Sequence, residues 1–137
     1  MVHLRLVEQP AMTAGLDFSA DETVAMQRAV IRLFDRWGLS EKEAAVLLGD
    51  ISVRTLQRWK QGVYGRVNRD LAARLSNLMG IHKALRLLFK EKTRGYGWIR
   101  RPNAAFGGRS ALEVMLGGQL TDLMRVRRYL DAQRSLW

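Results

Sequence analysis

The stretch S-V-R-T-L-Q-R-W-K, from residue 52 to residue 60, carries side chains suited to reading nucleic acid. Arginine and glutamine form paired hydrogen bonds with guanine and adenine edges, and a threonine methyl packs against thymine. Lysine and further arginines neutralise phosphates, which fixes position rather than sequence. We therefore predict a helix, capped by its first serine, that contacts DNA through Ser52, Arg54, Thr55, Gln57, Arg58 and Lys60, with Arg66 beyond it. The alternative is a face that is merely solvated.

No comparable set of side chains indicates catalysis. The chain has no cysteine and only two histidines, His3 and His82, which are far apart in sequence. A disulfide, a thiol nucleophile and a cysteine-ligated metal are therefore excluded, and a reducing cytoplasm fits. The neighbouring carboxylates Glu41 and Glu43 are explained by the start of a helix. Without a glycine-rich phosphate loop either, we expect no enzyme, no metal and no cofactor.

The positive charge is unevenly distributed along the 137 residues, whose formal net charge is +10. One basic residue stands against four acidic ones in 1–22, and seven against four in 23–62. The ratio rises to eight against two in 63–95 and is seven against three in 96–137. Such a basic body indicates a polyanionic partner or an acidic protein surface. No long uncharged apolar run is present, so we expect no membrane span.

The DNA-contacting stretch requires a second helix in front of it. Ser40 and Glu43 have the spacing of a capping box, and an apolar helix follows them up to Gly49. A helix, a glycine turn and a second capped helix are typical of a helix-turn-helix. Val53, Leu56 and Trp59 are predicted to face inward, Trp59 as core. The turn before the second helix is one residue longer than usual, which leaves the aim of that helix open.

Two further helices are predicted around this motif. The first follows a capping box at Ser19 and Glu22 and ends at Gly38, whereas residues 1–18 are predicted to form a flexible tail. After a linker at 63–68, a long helix is predicted from about Arg69 to Lys92, with the chain breaking at 93–97. Its apolar stripe is broad enough to face both a core and a second subunit. We predict a dimer interface at Leu71, Leu75, Leu78, His82, Leu85 and Phe89.

The stretch W-I-R-R-P-N-A-A-F-G-G-R-S, residues 98–110, has the composition of a shaped loop. Pro102 removes a backbone donor, and Gly107 and Gly108 allow backbone angles that other residues resist. Phe106 is the single large apolar anchor between them. Ser110 then opens a helix with a capping box. The loop is either a tight connection between helices or a site of recognition.

This loop, the pair Gly117–Gly118 and the helix ending in R-V-R-R-Y-L-D-A resemble one known family. The pattern N-x-x-F-G-G-R-S-x-L-E is similar to the toxin-binding domain of the MbcA/ParS/Xre antitoxins. The resemblance runs from about Asp70 to Ala132, and more loosely over the helix-turn-helix. It implies an antitoxin of a type II toxin–antitoxin pair, whose partner is a RES-domain toxin that consumes NAD. It also implies that the C-terminal domain blocks the toxin's active site and that the protein represses its own promoter.

We expect the toxin to be held by aromatic and arginine side chains of the C-terminal half, because such residues are the commonest interface anchors. The carboxylate and indole of Trp137 are hypothesised to mimic an anionic, aromatic ligand, with the 102–110 loop as the alternative contact. The expected toxin-binding residues are Trp98, Arg100, Arg101, Asn103, Phe106, Arg109, Arg127, Tyr129 and Trp137.

The sequence therefore predicts an all-α fold of about five or six helices. A helix-turn-helix region at 19–62 would precede a toxin-binding helical domain at 68–137. Two other interpretations stay open: a plain dimeric regulator without a toxin partner, and an interaction protein with a vestigial helix-turn-helix.

Overall fold

A computed structural model describes residues 18–136 of the chain. This part contains seven α-helices, one 3-10 turn and no named strand, which confirms the predicted all-α class. The predicted tail at 1–18 lies outside the described residues except for Phe18. The helices are α1 Ala20–Arg36, α2 Glu41–Leu47, α3 Val53–Lys60, α4 Arg69–Leu88, α5 Lys92–Trp98, α6 Ala111–Met115 and α7 Leu120–Ser135, with the 3-10 turn at Ala104–Phe106 between α5 and α6.

Serine capping boxes start three of these helices, as predicted. In each, the serine hydroxyl accepts a hydrogen bond from the backbone N–H three residues on, and the glutamate there accepts one from the serine's own N–H. Two backbone donors that have no partner inside the helix are thereby satisfied. The boxes are Ser19–Glu22, Ser40–Glu43 and Ser110–Glu113.

The end of the long helix differs from the prediction. Helix α4 stops at Leu88, because Phe89 adopts an extended conformation, and the glycine-containing segment predicted as a break forms α5. Gly95 of α5 is buried against the end of α4, where a Cβ atom would lie 3.5 Å from the carbonyl oxygen of Leu85. This segment thus packs directly on α4, at a distance where even a Cβ atom would make ordinary van der Waals contact. Packing of this kind outweighs the low helix propensity of glycine.

Helix α4 lies at the centre of the fold and packs against α1, α5 and α7. Arg74 contacts Gly118, which precedes α7, and Arg127 lies over Gly80 further along both helices. Helices α4 and α7 therefore run in the same direction. One continuous core spans both halves of the described chain. It includes Val30, Leu33, Phe34, Trp37, Leu47, Leu56, Trp59, Leu71, Leu75, Leu78, Leu85, Ile99, Phe106, Met115, Leu123 and Leu130.

The predicted dimer interface on α4 needs correction. Four of its six residues are buried inside the chain's own core, and His82 and Phe89 are half-buried. The broad stripe is filled by α1 and α7 of the same chain, which leaves those four side chains no surface for a second subunit. They are Leu71, Leu75, Leu78 and Leu85.

One buried cation joins the helix-turn-helix to the C-terminal half. Arg74 of α4 is only 6% exposed, and its Nε donates to the Asp70 carboxylate at 2.8 Å. Its two terminal nitrogens donate to the carbonyl oxygens of Leu47, at 3.4 Å, and Gly118, at 2.8 Å. Gly49 leaves room for this guanidinium, since a Cβ there would lie 3.0 Å from its Nε. Arg74 thus bridges the end of α2 and the turn that precedes α7.

The capping box of α6 makes a pH-dependent contribution to stability. The Ser110 backbone N–H, then its hydroxyl and the nearby Arg109 charge, lower the pKa of Glu113. The contribution is therefore present above the unfolded-state pKa of about 4.3 and disappears as pH falls through the lower folded-state value. We expect Glu113→Gln to abolish this dependence. Urea midpoints for both proteins should differ at pH 7 and converge in acid, and a gap that stays constant would contradict the assignment.

Candidate functional sites

The connection between α2 and α3 uses an unusual backbone. Gly49 and Asp50 have φ angles of +85° and +64°, both in the left-handed region. The Asp50 N–H donates to the Ala45 carbonyl at 2.8 Å, which closes the end of α2. Asp is one of the few non-glycine residues that tolerate this conformation. Two consecutive left-handed residues therefore accommodate the longer turn, and α3 still begins with the Ser52 cap.

Helix α3 packs on the core through Leu56 and Trp59, so the prediction of Trp59 as core is confirmed. Val53 does not face inward as predicted: it is 41% exposed, because it occupies the first turn at the open end of the helix. An apolar side chain there is suited to a thymine methyl. The prediction was wrong because Val53 lies three residues before Leu56, and this spacing is also typical of two core residues on one helix face.

The predicted DNA-contacting residues divide by their local partners. Ser52 caps the Thr55 N–H and also donates to the Thr55 hydroxyl at 2.9 Å, so both polar groups already have partners. Lys60 pairs with Glu41 at 3.3 Å across two exposed side chains, which is a weak, exchangeable contact. The other four side chains are exposed, and three of them form one patch on α3. They are Arg54, Gln57 and Arg58 on the helix, and Arg66 in the connection after it.

An aromatic cluster forms where α5, the 3-10 turn and α7 meet. Trp98 and Tyr129 stack with ring centroids 6.1 Å apart and planes inclined by 12°. The Phe106 and Tyr129 rings pack edge to face with centroids 5.2 Å apart, and the Arg125 guanidinium lies 5.3 Å from the Phe106 ring centre. Phe106 is buried, whereas Trp98 and Tyr129 are half-buried. These four residues, called the aromatic cluster below, bring together side chains that are up to 31 positions apart.

Arg125 was not among the residues that the sequence predicted to bind the toxin. It precedes Tyr129 by four positions in a helix, the spacing that places two side chains on one face, so this signal could have identified it.

The loop residues around the cluster have separate roles. Arg100 donates to the carbonyl oxygens of Trp37 and Gly38, at 3.0 and 2.9 Å, so it caps the end of α1. The Asn103 side chain caps the 3-10 turn by accepting from the backbone at 2.9 Å. Arg101 and Arg109 are exposed. An antiparallel β-bridge between Pro102 and Ser110 closes the loop.

Arg127 lies apart from the aromatic cluster. At about 100° per residue it is turned by roughly 200° from Arg125 and from Tyr129. Its guanidinium rests on the backbone of α4 over Gly80 and donates to the Ser76 carbonyl at 3.4 Å. The structure therefore does not bring Arg127 together with the other expected toxin-binding residues. Trp137 lies outside the described residues.

His82 belongs to a stack of planar groups. Its ring lies parallel to that of Tyr96, with centroids 6.3 Å apart, and Arg36 covers the other ring at 5.7 Å. Burial, and secondly the charge of Arg86, lowers the pKa of His82, so the ring is neutral at pH 7. No group of three or more His, Cys, Asp or Glu residues suited to a metal occurs in residues 18–136. No helix in this part is long and apolar enough to cross a membrane.

Two protein-family models and one curated relative match the chain. Residues 19–80 match the antitoxin Xre-like helix-turn-helix domain, and residues 84–135 match the antitoxin Xre/MbcA/ParS C-terminal toxin-binding domain. Neither is an enzyme family. An uncharacterized protein of Sinorhizobium fredii (strain NBRC 101917 / NGR234), y4oB, is 47% identical over 107 residues, which cover 78% of this chain and 82% of the relative. The chain belongs to the Xre/MbcA/ParS family of antitoxins, with a helix-turn-helix followed by a toxin-binding domain.

Proposed function

We propose that this antitoxin neutralises a RES-domain toxin that consumes NAD, and that it represses its own promoter as a cytoplasmic homodimer. The observation that supports toxin binding by the C-terminal half is the aromatic cluster. Two elements of the matched domain place the half-buried rings of Trp98 and Tyr129 and the exposed Arg125 on one surface, and the buried Phe106 ring supports them from below. Side chains of these types anchor interfaces, since they bury a large area at low entropic cost.

The toxin-binding surface is proposed to extend from the aromatic cluster over the exposed arginines of the 98–110 loop. A toxin that binds the anionic dinucleotide NAD needs a cationic or donor-rich pocket. The proposed inhibitory group for that pocket is Trp137, through its indole and carboxylate. Co-expression with the gene product encoded next to this one tests the proposal. Growth rescue and co-purification support it, whereas a neighbour that is neither toxic nor bound favours a plain regulator.

The DNA-binding half is proposed to act as a pair of helix-turn-helix regions. Helix α3 spans only eight residues, so a single copy offers few base contacts, and two-fold pairing doubles them across a palindromic site. About seven phosphate contacts would make log affinity fall with log salt concentration at a slope of about −6. Because the α4 stripe is buried, the pairing surface is proposed to lie elsewhere on the chain.

Two substitutions on α3 should separate base reading from phosphate contact. Arg58→Ala should cost about 1–3 kcal/mol on the promoter and relax preference at one base pair. Lys60→Ala should weaken all duplexes alike, because a lysine on a phosphate carries no sequence information. Fluorescence anisotropy with the promoter and a scrambled duplex measures both. Unchanged binding by both variants would show that α3 is not the reading helix.

A further inference from the structure

A groove runs between the C-terminal halves of α4 and α7, on the flank of α7 away from the aromatic cluster. Its volume is about 430 Å³, and its walls carry three cationic side chains, Lys83, Arg127 and Arg134, against one carboxylate, Asp131. Gly80 also lines it. The two helices run parallel, so both walls present side chains from corresponding turns.

The α4 backbone at Gly80 positions the Arg127 side chain in this groove. Gly80 has no side chain, and a Cβ atom there would overlap the Nε and Cζ atoms of Arg127. Asp131 lies between two arginines, 3.7 Å from Nε of Arg127 and 3.5 Å from a terminal nitrogen of Arg134. Each guanidinium has five N–H donors, so both keep donors to offer to a ligand. Preorganised guanidinium groups bind planar carboxylates through paired hydrogen bonds.

An exposed apolar side chain lies beside the groove. Leu87 follows Lys83 by one helical turn on the same face of α4 and is 61% exposed. It is one of the four large apolar side chains that the described residues expose. Charged walls beside an apolar rim are typical of protein–protein contacts.

A protein segment fits this site better than a DNA backbone. A row of phosphates binds protruding, solvated cations, whereas Arg127 is pinned to the α4 backbone in a concave groove. Asp131 would also repel a continuous line of phosphates more strongly than the one negative charge of a carboxylate side chain. Leu87 would gain nothing from phosphates.

We propose that the groove binds a carboxylate side chain of a protein partner, with an adjacent apolar side chain resting on Leu87. The identification of that partner as the toxin rests on the proposed function, but the site itself does not. The groove would give the antitoxin a second anchor, separate from the aromatic cluster.

The site can be tested on the full chain without the toxin. A six-residue peptide of alternating glutamate and leucine is titrated into labelled protein while the side-chain Nε–H resonances of Arg127 and Arg134 are followed by NMR. We expect saturable shifts at both arginines, and no saturation with an alternating lysine–leucine peptide. Absence of saturation with the acidic peptide, or equal shifts on adding a DNA duplex, would overturn the assignment.

Variants then link the groove to the partner. Lys83→Glu combined with Arg134→Glu should weaken peptide binding, and toxin binding, by about 10-fold or more. The matched control is Arg128→Glu, an exposed arginine of α7 that does not line the groove, which should change both by less than about 3-fold. Gly80→Ala should displace Arg127 and weaken peptide binding without removing any charge.

The outcomes distinguish the two proposals. If Trp98→Ala weakens toxin binding while the groove double variant leaves it unchanged, the groove is not a toxin anchor and the proposed function stands. If neither variant affects toxin binding, the proposed toxin surface fails, and the peptide titration alone decides the groove.

Discussion

Replacing Arg74 with methionine is expected to lower the free energy of unfolding by about 3 kcal/mol. The substitution keeps most of the apolar stem but removes the donors to the carbonyl oxygens of Leu47 and Gly118. Asp70 is half exposed, so its charge stays solvated and adds little to the loss. The cost comes mainly from two carbonyl groups left without their charged donor. Urea unfolding followed by circular dichroism measures it.

Arg86→Met is the matched control for this prediction. It removes the same group from an exposed position of the same helix, and should change stability by no more than about 0.5 kcal/mol. If Arg74→Met also costs less than about 1 kcal/mol, water satisfies the two carbonyl groups in place of the side chain, and Arg74 is not the bridge described above.

Replacing Trp98 with alanine is expected to weaken toxin binding by about 30- to 300-fold, corresponding to about 2–3.5 kcal/mol. The substitution removes the half-buried ring that stacks on Tyr129 and with it the flat surface of the aromatic cluster. Surface plasmon resonance with the neighbouring gene product measures the effect, chiefly as faster dissociation.

Two controls separate lost contact from lost folding in that experiment. The variant's melting temperature and its affinity for the promoter report whether the fold is intact. Arg125→Ala removes the cation over Phe106 and leaves all three rings, so it should weaken toxin binding less than Trp98→Ala does. Wild-type affinity for a well-folded Trp98→Ala protein would show that the toxin binds elsewhere.

The features predicted correctly from the sequence are those set by local interactions. Ser19, Ser40 and Ser110 start helices because each contacts a group three residues away, and such contacts are visible in the spacing alone. The helix-turn-helix was recognisable for the same reason, since its capped helices and glycine turn lie within 21 residues.

The features that were missed depend on distant partners. Arg74 contacts carbonyl groups 27 and 44 positions away, and its spacing gives no sign of either. The apolar stripe of α4 correctly indicated two packing neighbours, but a stripe does not show whether they belong to the same chain. The separation of Arg127 from Tyr129 was available from helix geometry, because residues two apart point to opposite flanks.

Helix α4 has a consequence for recombination between members of the family. The two matched regions end at residue 80 and begin at residue 84, so the boundary between them falls inside one uninterrupted helix. A chimera joined at that boundary takes Arg74 from one parent and the Gly118 turn from the other. It also packs α7 of the second parent against Gly80 of the first. Exchange of toxin specificity therefore requires both sides of the α4–α7 contact to be inherited together, so this antitoxin should diversify as a whole chain and not by shuffling of its halves.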